Sequence, residues 1–390
     1  MKRIFLAMLL VLVAMPVVAE TGWRGDGTGR APTAEPCLLW TAKTNVLWKV
    51  NVGSSYSSPV PVADRVFVTS EEDKLLCVNR KTGKILWEHT NGFSDLTPKT
   101  KAPEDASPTS CGFTTPTPVA DGSHVYVLFG TGIVASYDFE GQRQWIRYLA
   151  EPQILEYGRS ASPVLVAGKL VVMIGHLTAL DAATGKTAWE VTDAAETYGT
   201  PVITKLGDTP VVITPNGVVV RATDGKVLAR GIGEVLHSSP IVQDGVVFFG
   251  DAHSTAVKLT LKPDGKVETR ELWQADLEGE FYASPVWHDG LLYTVSNAGA
   301  LQALAAATGK TIYQQTLEIP SGNFYGSLVV AGGKLFVSND KGNTLVVTPG
   351  KEFKSIQKNS LEDGAASTPM FDGRALFLRA GDLLYAISAP

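Results

Sequence analysis

Catalytic signatures are what this 390-residue sequence lacks. It has no Gly-x-Ser-x-Gly elbow, no phosphate-binding glycine loop, no metalloprotease helix pattern and no calcium loop of the EF-hand type. Its six histidines, His89, His124, His176, His237, His253 and His288, are scattered through the chain. Charged residues make up only 19%, and the formal net charge is −5. No dense basic run occurs, which argues against nucleic acid, whose binders carry basic stripes. A basic amphipathic helix for a membrane surface is missing as well. Cysteine is scarce: Cys37, Cys77 and Cys111 are the whole complement. Cys77 lies in the apolar run Leu75–Val78 and reads as a small core residue. Cys37 and Cys111 lie in irregular segments, and spacing alone leaves open whether they pair. After the first twenty residues no apolar run is long enough to span a membrane.

The start of the chain has its own pattern. Lys2 and Arg3 precede the apolar run Ile4–Val18, and Val17-Val18-Ala19 ends it with a small residue. That is the layout of a secretory signal over residues 1–19. No cysteine follows the expected cleavage point, so a lipid-attachment pattern is missing. The expectation is a soluble protein, periplasmic or extracellular, with no stable membrane span once the signal is removed. An odd number of cysteines is unusual in such a protein.

What the chain has in quantity is turn and strand. The stretch Ser160–Trp189 holds the apolar runs Val164–Val166, Leu170–Ile174 and Leu177–Leu180, and then Thr184-Gly185-Lys186 before Trp189. Each run is too short for a helix and is bounded by glycine turns, which predicts four antiparallel strands. Gly185 supplies the positive φ that a tight turn needs. The unit recurs. A proline after a small residue marks it at Pro59, Pro118, Pro163, Pro201, Pro240, Pro285 and Pro369, and Leu328 fills the equivalent slot. The interval is roughly 40 residues, the length of a four-stranded propeller blade. The fold class is therefore all-β, an eight-bladed β-propeller. Its last unit, Ser367–Ile387, lacks an outer strand, and Asn45–Val50 is a spare one. The N-terminal strand is expected to complete the last blade and close the ring. The domains follow: residues 1–19 signal, 20–44 an irregular leader packed on the propeller, and 45–390 the propeller. The segment 90–114, with Pro98, Pro103 and Pro108, is the largest irregular insertion. Such a loop either covers a site or is simply solvated.

These residues resemble a known family. Leu177-Thr178-Ala179-Leu180-Asp181, followed by Thr184-Gly185-Lys186 and Trp189, is similar to the PQQ-type repeat of β-propellers, with near copies at Leu301–Lys310 and Leu76–Trp87. The resemblance covers about Asn45 to Ile387 and is specific for fold rather than function. It implies two branches. Quinoprotein dehydrogenases hold PQQ and Ca²⁺ over the axis, commonly beside adjacent cysteines, and are much longer. The scaffold branch, typified by BamB of outer-membrane protein assembly, has eight blades and no cofactor. No Cys-Cys pair occurs here, and no convincing Glu/Asn/Asp set for calcium stands out. The lipid anchor of the BamB branch is missing too.

The candidate site is the funnel mouth, where each chain segment enters the innermost strand of its blade. Three residues before the markers stand Tyr56, Thr115, Ser160, Tyr198, His237, Tyr282, Tyr325 and Ala366. The same loops carry Glu156, Glu196, Glu234, Glu280 and Asp363, with Arg159 as the notable cation. Aromatic faces with polar tips suit an extended peptide or a small polyhydroxy ligand; alternatively the aromatics pack the seams between blades. The leading expectation is a binding scaffold of the cell envelope whose partner is an envelope protein, with no cofactor and no metal. The alternatives are a PQQ- and Ca²⁺-dependent dehydrogenase and a carbohydrate-binding or carbohydrate-acting propeller.

Overall fold

The computed structural model describes residues 20–103, 109–364 and 367–389. The signal expected over residues 1–19 lies outside them, as do residues 104–108 of the long segment and Ala366. Eight antiparallel sheets make the ring. In blade three, Val164–Val166, Lys169–Ile174, His176–Asp181 and Thr187–Ala195 pair in chain order. The middle strands are buried on both faces between neighbouring blades, so Leu170–Ile174 is one continuous apolar run. Outer strands have one face in solvent, so Val46–Asn51 and Ile85–Thr90 alternate. That contrast is the strand period read against burial.

The recurring Thr-Gly-Lys turn and tryptophan belong to one contact between blades. Trp145, on the outer strand of blade two, donates its indole N–H to the Ala182 carbonyl of blade three at 2.9 Å. Its ring lies so close to Gly185 that a Cβ there would stand 2.7 Å from it. Gly185 also has φ +68°, so a side chain is disfavoured twice. The same pairing joins Trp48 to Gly83, Trp87 to Gly141, Trp189 to Gly225 and Trp273 to Gly309. One extra residue before each tryptophan shifts the register, as between Ala179/Trp189 and Leu180/Thr187. This bulge turns the indole toward the next blade. Cys77 is the small residue opposite Trp87 and is fully buried, as expected.

The residue before each marker proline is always Ser or Thr, and the reason is circular. The Ser58 N–H donates to Thr117 Oγ1, Thr117 to Ser162, Ser162 to Thr200, and Thr200 to Ser239. Ser239 donates to Ser284, Ser284 to Ser327, Ser327 to Thr368, and Thr368 back to Ser58 Oγ. Each N···O distance is between 2.8 and 3.1 Å. Eight bonds, each worth on the order of 1 kcal/mol net, thus tie the blades together around the axis.

Closure is as the sequence implies. Val46–Asn51 pairs antiparallel with Leu383–Ile387, completing blade eight as its outer strand. The leader departs from expectation in one respect: it was expected to be free of strand, yet Arg30–Ala31 pairs parallel with Val330–Ala331, the free inner edge of blade seven. Thr21 bridges Ala120 on the inner edge of blade two. Between them Gly22 and Gly25 close a tight hairpin. Residues 21–31 therefore enter the ring, turn, and leave again, with Trp23 and Arg24 at the apex. The Arg24 guanidinium donates to the Pro285 and Leu328 carbonyls and is buried, so Arg24 pins the hairpin to the axis while Asp26 stays exposed. Burial lowers the Arg24 pKa to about 9. Further on, Trp40 is buried in the seam of blades seven and eight, stacked on Phe336. It fills the seam beside Lys354–Ser360, an outer strand that carries no aromatic residue of its own.

Candidate functional site

The hydroxyl ring forms the floor of a cavity of about 470 Å³ on the axis. Trp23, carried there by the leader hairpin, lies on the same floor. Above it runs a collar of aromatic rings. Tyr157 and Tyr198 have centroids 5.9 Å apart, Tyr198 and His237 stack at 4.9 Å, His237 meets Tyr282 edge-on at 4.7 Å, and Tyr282 lies 5.6 Å from Tyr325. Tyr56 extends the collar on blade one. Five of the aromatics expected at the mouth, Tyr56, Tyr198, His237, Tyr282 and Tyr325, are thus brought together around one cavity. They pack on each other at the mouth, with Tyr56 and Tyr325 about half exposed, and do not fill the blade seams.

The charged candidates separate from them. Arg159 and Glu196 were expected at the mouth and are instead buried: their side chains are 3% and 0% exposed. Arg159 Nε meets Glu196 Oε1 at 3.1 Å, and its other nitrogens donate to the carbonyls of Gly130, Glu151 and Pro152. Glu196 also accepts the Gly175 N–H at 2.9 Å. Five hydrogen bonds, one within the pair and four to backbone groups, occupy it, so it locks the loop before blade three and offers nothing to a ligand. Glu234 is exposed and outside the cavity lining. Glu280 is exposed, accepts the Tyr282 phenol at 3.2 Å, and faces a neighbouring groove with Asn297 and Asn323. Asp363 lines another groove beside Arg379 and accepts the Tyr385 phenol.

The cavity lining contains no Arg, Lys, Asp or Glu. Burial, and for Tyr282 also the Glu280 carboxylate, raises the pKa of Tyr198, Tyr282 and Tyr325, so these phenols remain donors at neutral pH. Burial lowers that of His237, which keeps the imidazole uncharged. Three lining elements were not singled out from sequence. Trp23 comes from the leader, Tyr157 from a loop out of step with the repeat, and Ser110 and Cys111 from the end of the long segment. That segment end is held over the mouth by the Cys111 N–H and Thr109 hydroxyl, both donating to the Tyr157 carbonyl. The pairing left open for Cys37 and Cys111 does not form. All three cysteines are free, Cys37 in the seam of blades seven and eight and Cys111 at the mouth.

One carboxylate near the mouth is set up to respond to pH. Asp73 sits in the turn between Arg65–Ser70 and Lys74–Asn79 with φ +53°. Its Oδ1 is buried without a hydrogen-bond partner. Burial, reinforced by the nearby negative charges of Glu71 and Glu72, pushes its pKa up to about 7. A folded-state value above the unfolded one favours the protonated fold, so this contribution is present near pH 4 and lost as pH rises through about 7. Asp73→Asn should therefore add about 1–3 kcal/mol of stability at pH 8. It should also flatten the stability difference between pH 5 and pH 8 in urea unfolding.

With the geometry in hand, comparison with known proteins adds the lineage. The family model described as outer membrane protein assembly factor BamB matches residues 39–267 and 265–351. The chain belongs to the BamB family. BamB of Yersinia pestis is 23% identical, with 77% of this chain and 88% of that one covered. BamB of Alkalilimnicola ehrlichii is 25% identical over 47% of this chain and 51% of its own. Among solved structures, BamB from Moraxella catarrhalis superposes with a TM-score of 0.63 at 14% identity, covering 88% of this chain and 97% of that one. A europium-containing methanol dehydrogenase superposes at 0.67 with 12% identity, covering 92% and 89%. At such identities the structural likenesses show the shared propeller alone. Within the BamB-family fold, the collar and its floor are features of this chain's own side chains. Among the described residues no helix is long and apolar enough to cross a membrane.

Proposed function

We propose that this protein is an exported, non-enzymatic scaffold of the cell envelope that docks a component of outer-membrane protein assembly on its funnel-side face. Family membership supports the cellular process. The observation that carries the docking face is an apolar rim on a rigid ring. Ile154, Tyr157 and Leu236 are 64%, 44% and 50% exposed. Tyr157 and Leu236 meet at Tyr198, whose N–H donates to the Leu236 carbonyl and whose phenol accepts the Tyr157 N–H, and Ile154 lies three residues before Tyr157 on the same loop. Large apolar side chains fixed on rigid backbone lose little entropy on docking and make good anchors. The eight-bond axial ring keeps that face preorganised.

The cofactor-dependent alternative finds little support in the lining. PQQ is a polyanionic quinone, and calcium takes carboxylate and carbonyl oxygens. The funnel offers neither a cation for the quinone carboxylates nor an acid for the metal. Among the described residues no group of three or more His, Cys, Asp or Glu could hold a metal ion. We therefore assign no cofactor chemistry to the funnel.

Photocrosslinkers placed at Ile154 and Leu236 in cells test the docking face. A discrete adduct with an outer-membrane assembly component is expected from both positions and not from Lys262 on the far outer hairpin. Ile154→Glu with Leu236→Glu should lower recovery of that partner at least about tenfold without moving the melting temperature. Equal adducts from all three positions, or none, would reject the assignment.

A further inference from the structure

Rim docking shares Tyr157 with the funnel but leaves its floor unused, and the lining there is chemically selective. Each of the eight ring hydroxyls receives an amide N–H on one lone pair. A hydroxyl also has one proton to give and a second lone pair. Among the described residues none of the eight donates to a protein acceptor, so eight donors are left around one floor. Higher up, the phenols of Tyr56 and Tyr325 line the cavity and make no hydrogen bond to described protein groups. The floor and collar together present hydroxyl groups around about 470 Å³, a small-molecule volume.

From this lining we propose that the funnel binds an uncharged, polyhydroxylated ligand of the mono- or disaccharide class. Sugar hydroxyls donate and accept at once, as the ring and the phenols do, and the Trp23 indole supplies an apolar surface for a sugar face. Other classes fit worse. An apolar ligand would strip water from eight hydroxyl protons without replacing it, at a cost for each. An anion would find no Arg or Lys in the lining and would pass Glu280 and Asp340 at the rim. A quaternary ammonium needs open ring faces, whereas Tyr198 and His237 cover each other at an interplanar angle of 18°.

The test uses the purified chain without its signal, titrated with glucose, N-acetylglucosamine, maltose, trehalose and cellobiose. Calorimetry and tryptophan fluorescence, sensitive to Trp23, report binding. Glucuronate and tetramethylammonium serve as charged controls. At least one neutral sugar is expected to saturate the protein below about 10 mM, with both controls at least tenfold weaker. Tyr56→Phe with Tyr325→Phe removes two free phenol groups and no protein hydrogen bond. It should weaken that sugar at least fivefold with an unchanged melting temperature. The proposal is overturned if no neutral sugar binds, if a charged control binds as well, or if the double variant binds like the parent. Ile154→Glu with Leu236→Glu should leave sugar binding intact, so failure of the rim assignment and failure of the funnel assignment are read separately.

Discussion

Glu196→Ala should cost about 3–5 kcal/mol of stability, the loss expected when one partner of a buried ion pair is removed. Arg159 would keep its three carbonyl acceptors but lose the carboxylate that, among the described residues, is paired with its charge, in a buried site. The Gly175 N–H would lose its acceptor as well. The pair is nonetheless not a net source of stability by this reasoning. Burial raises the Glu196 pKa, outweighing the opposite pull of Arg159 and the Gly175 N–H. Desolvation of the carboxylate is thus incompletely offset. Arg159→Met combined with Glu196→Met should accordingly recover most of the loss. Urea unfolding of parent, single and double variants decides it. A double variant as unstable as the single one would show that the carbonyl contacts of Arg159, and not its charge balance, hold the loop.

A chain that starts at Val52 should fail to give a cooperative unfolding transition. Blade eight would be left with three strands and the free edge Leu383–Ile387. The Trp48 contact with Gly83 and the Arg80 carbonyl would vanish from the seam with blade one. Trp40 would vanish from the seam with blade seven, leaving a void among Phe336, Leu376 and Tyr385. Losing the buried Trp40 alone costs about 3–5 kcal/mol, a large share of the stability of an ordinary domain, and the half-buried Trp48 and the strand pairing add to it. The rescue is specific. The Ser388 N–H already donates to the Asn45 carbonyl at 2.9 Å, so a short turn can join Ala389 to Asn45. Moving residues 45–51 behind the C-terminus should restore a cooperative melt, read by near-ultraviolet circular dichroism, with a midpoint below the parent's because the void left by Trp40 remains. A truncated chain that melts like the parent would show that the closing strand does not hold the ring.

Much of the fold was legible because the signals that carry it are local. A glycine at positive φ, an apolar run of five and a tryptophan after Thr-Gly-Lys each report on their own few residues. Repetition then supplies the blade count. The aromatic collar was legible for the same reason, since Tyr56, Tyr198, His237, Tyr282 and Tyr325 recur at one offset from the repeat. Tyr157 was not, because its loop is out of step. Glu196 and Arg159 were misplaced because offset along the chain says which loop a residue occupies but not whether its side chain turns outward or inward.

Sequence by itself determined the eight four-stranded blades, the borrowed closing strand and the ring of aromatics at the mouth. These follow from hydrophobic period and turn chemistry, which act over a few residues. Only the tertiary structure decided that eight Ser and Thr hydroxyls close a circle, that the leader carries Trp23 and Arg24 into the axis, and that the lining of the funnel is uncharged. Each of those depends on groups tens to hundreds of residues apart meeting within hydrogen-bond distance. Such meetings are set by the twist and number of the sheets around the axis, a geometric sum over the whole ring that no single segment encodes.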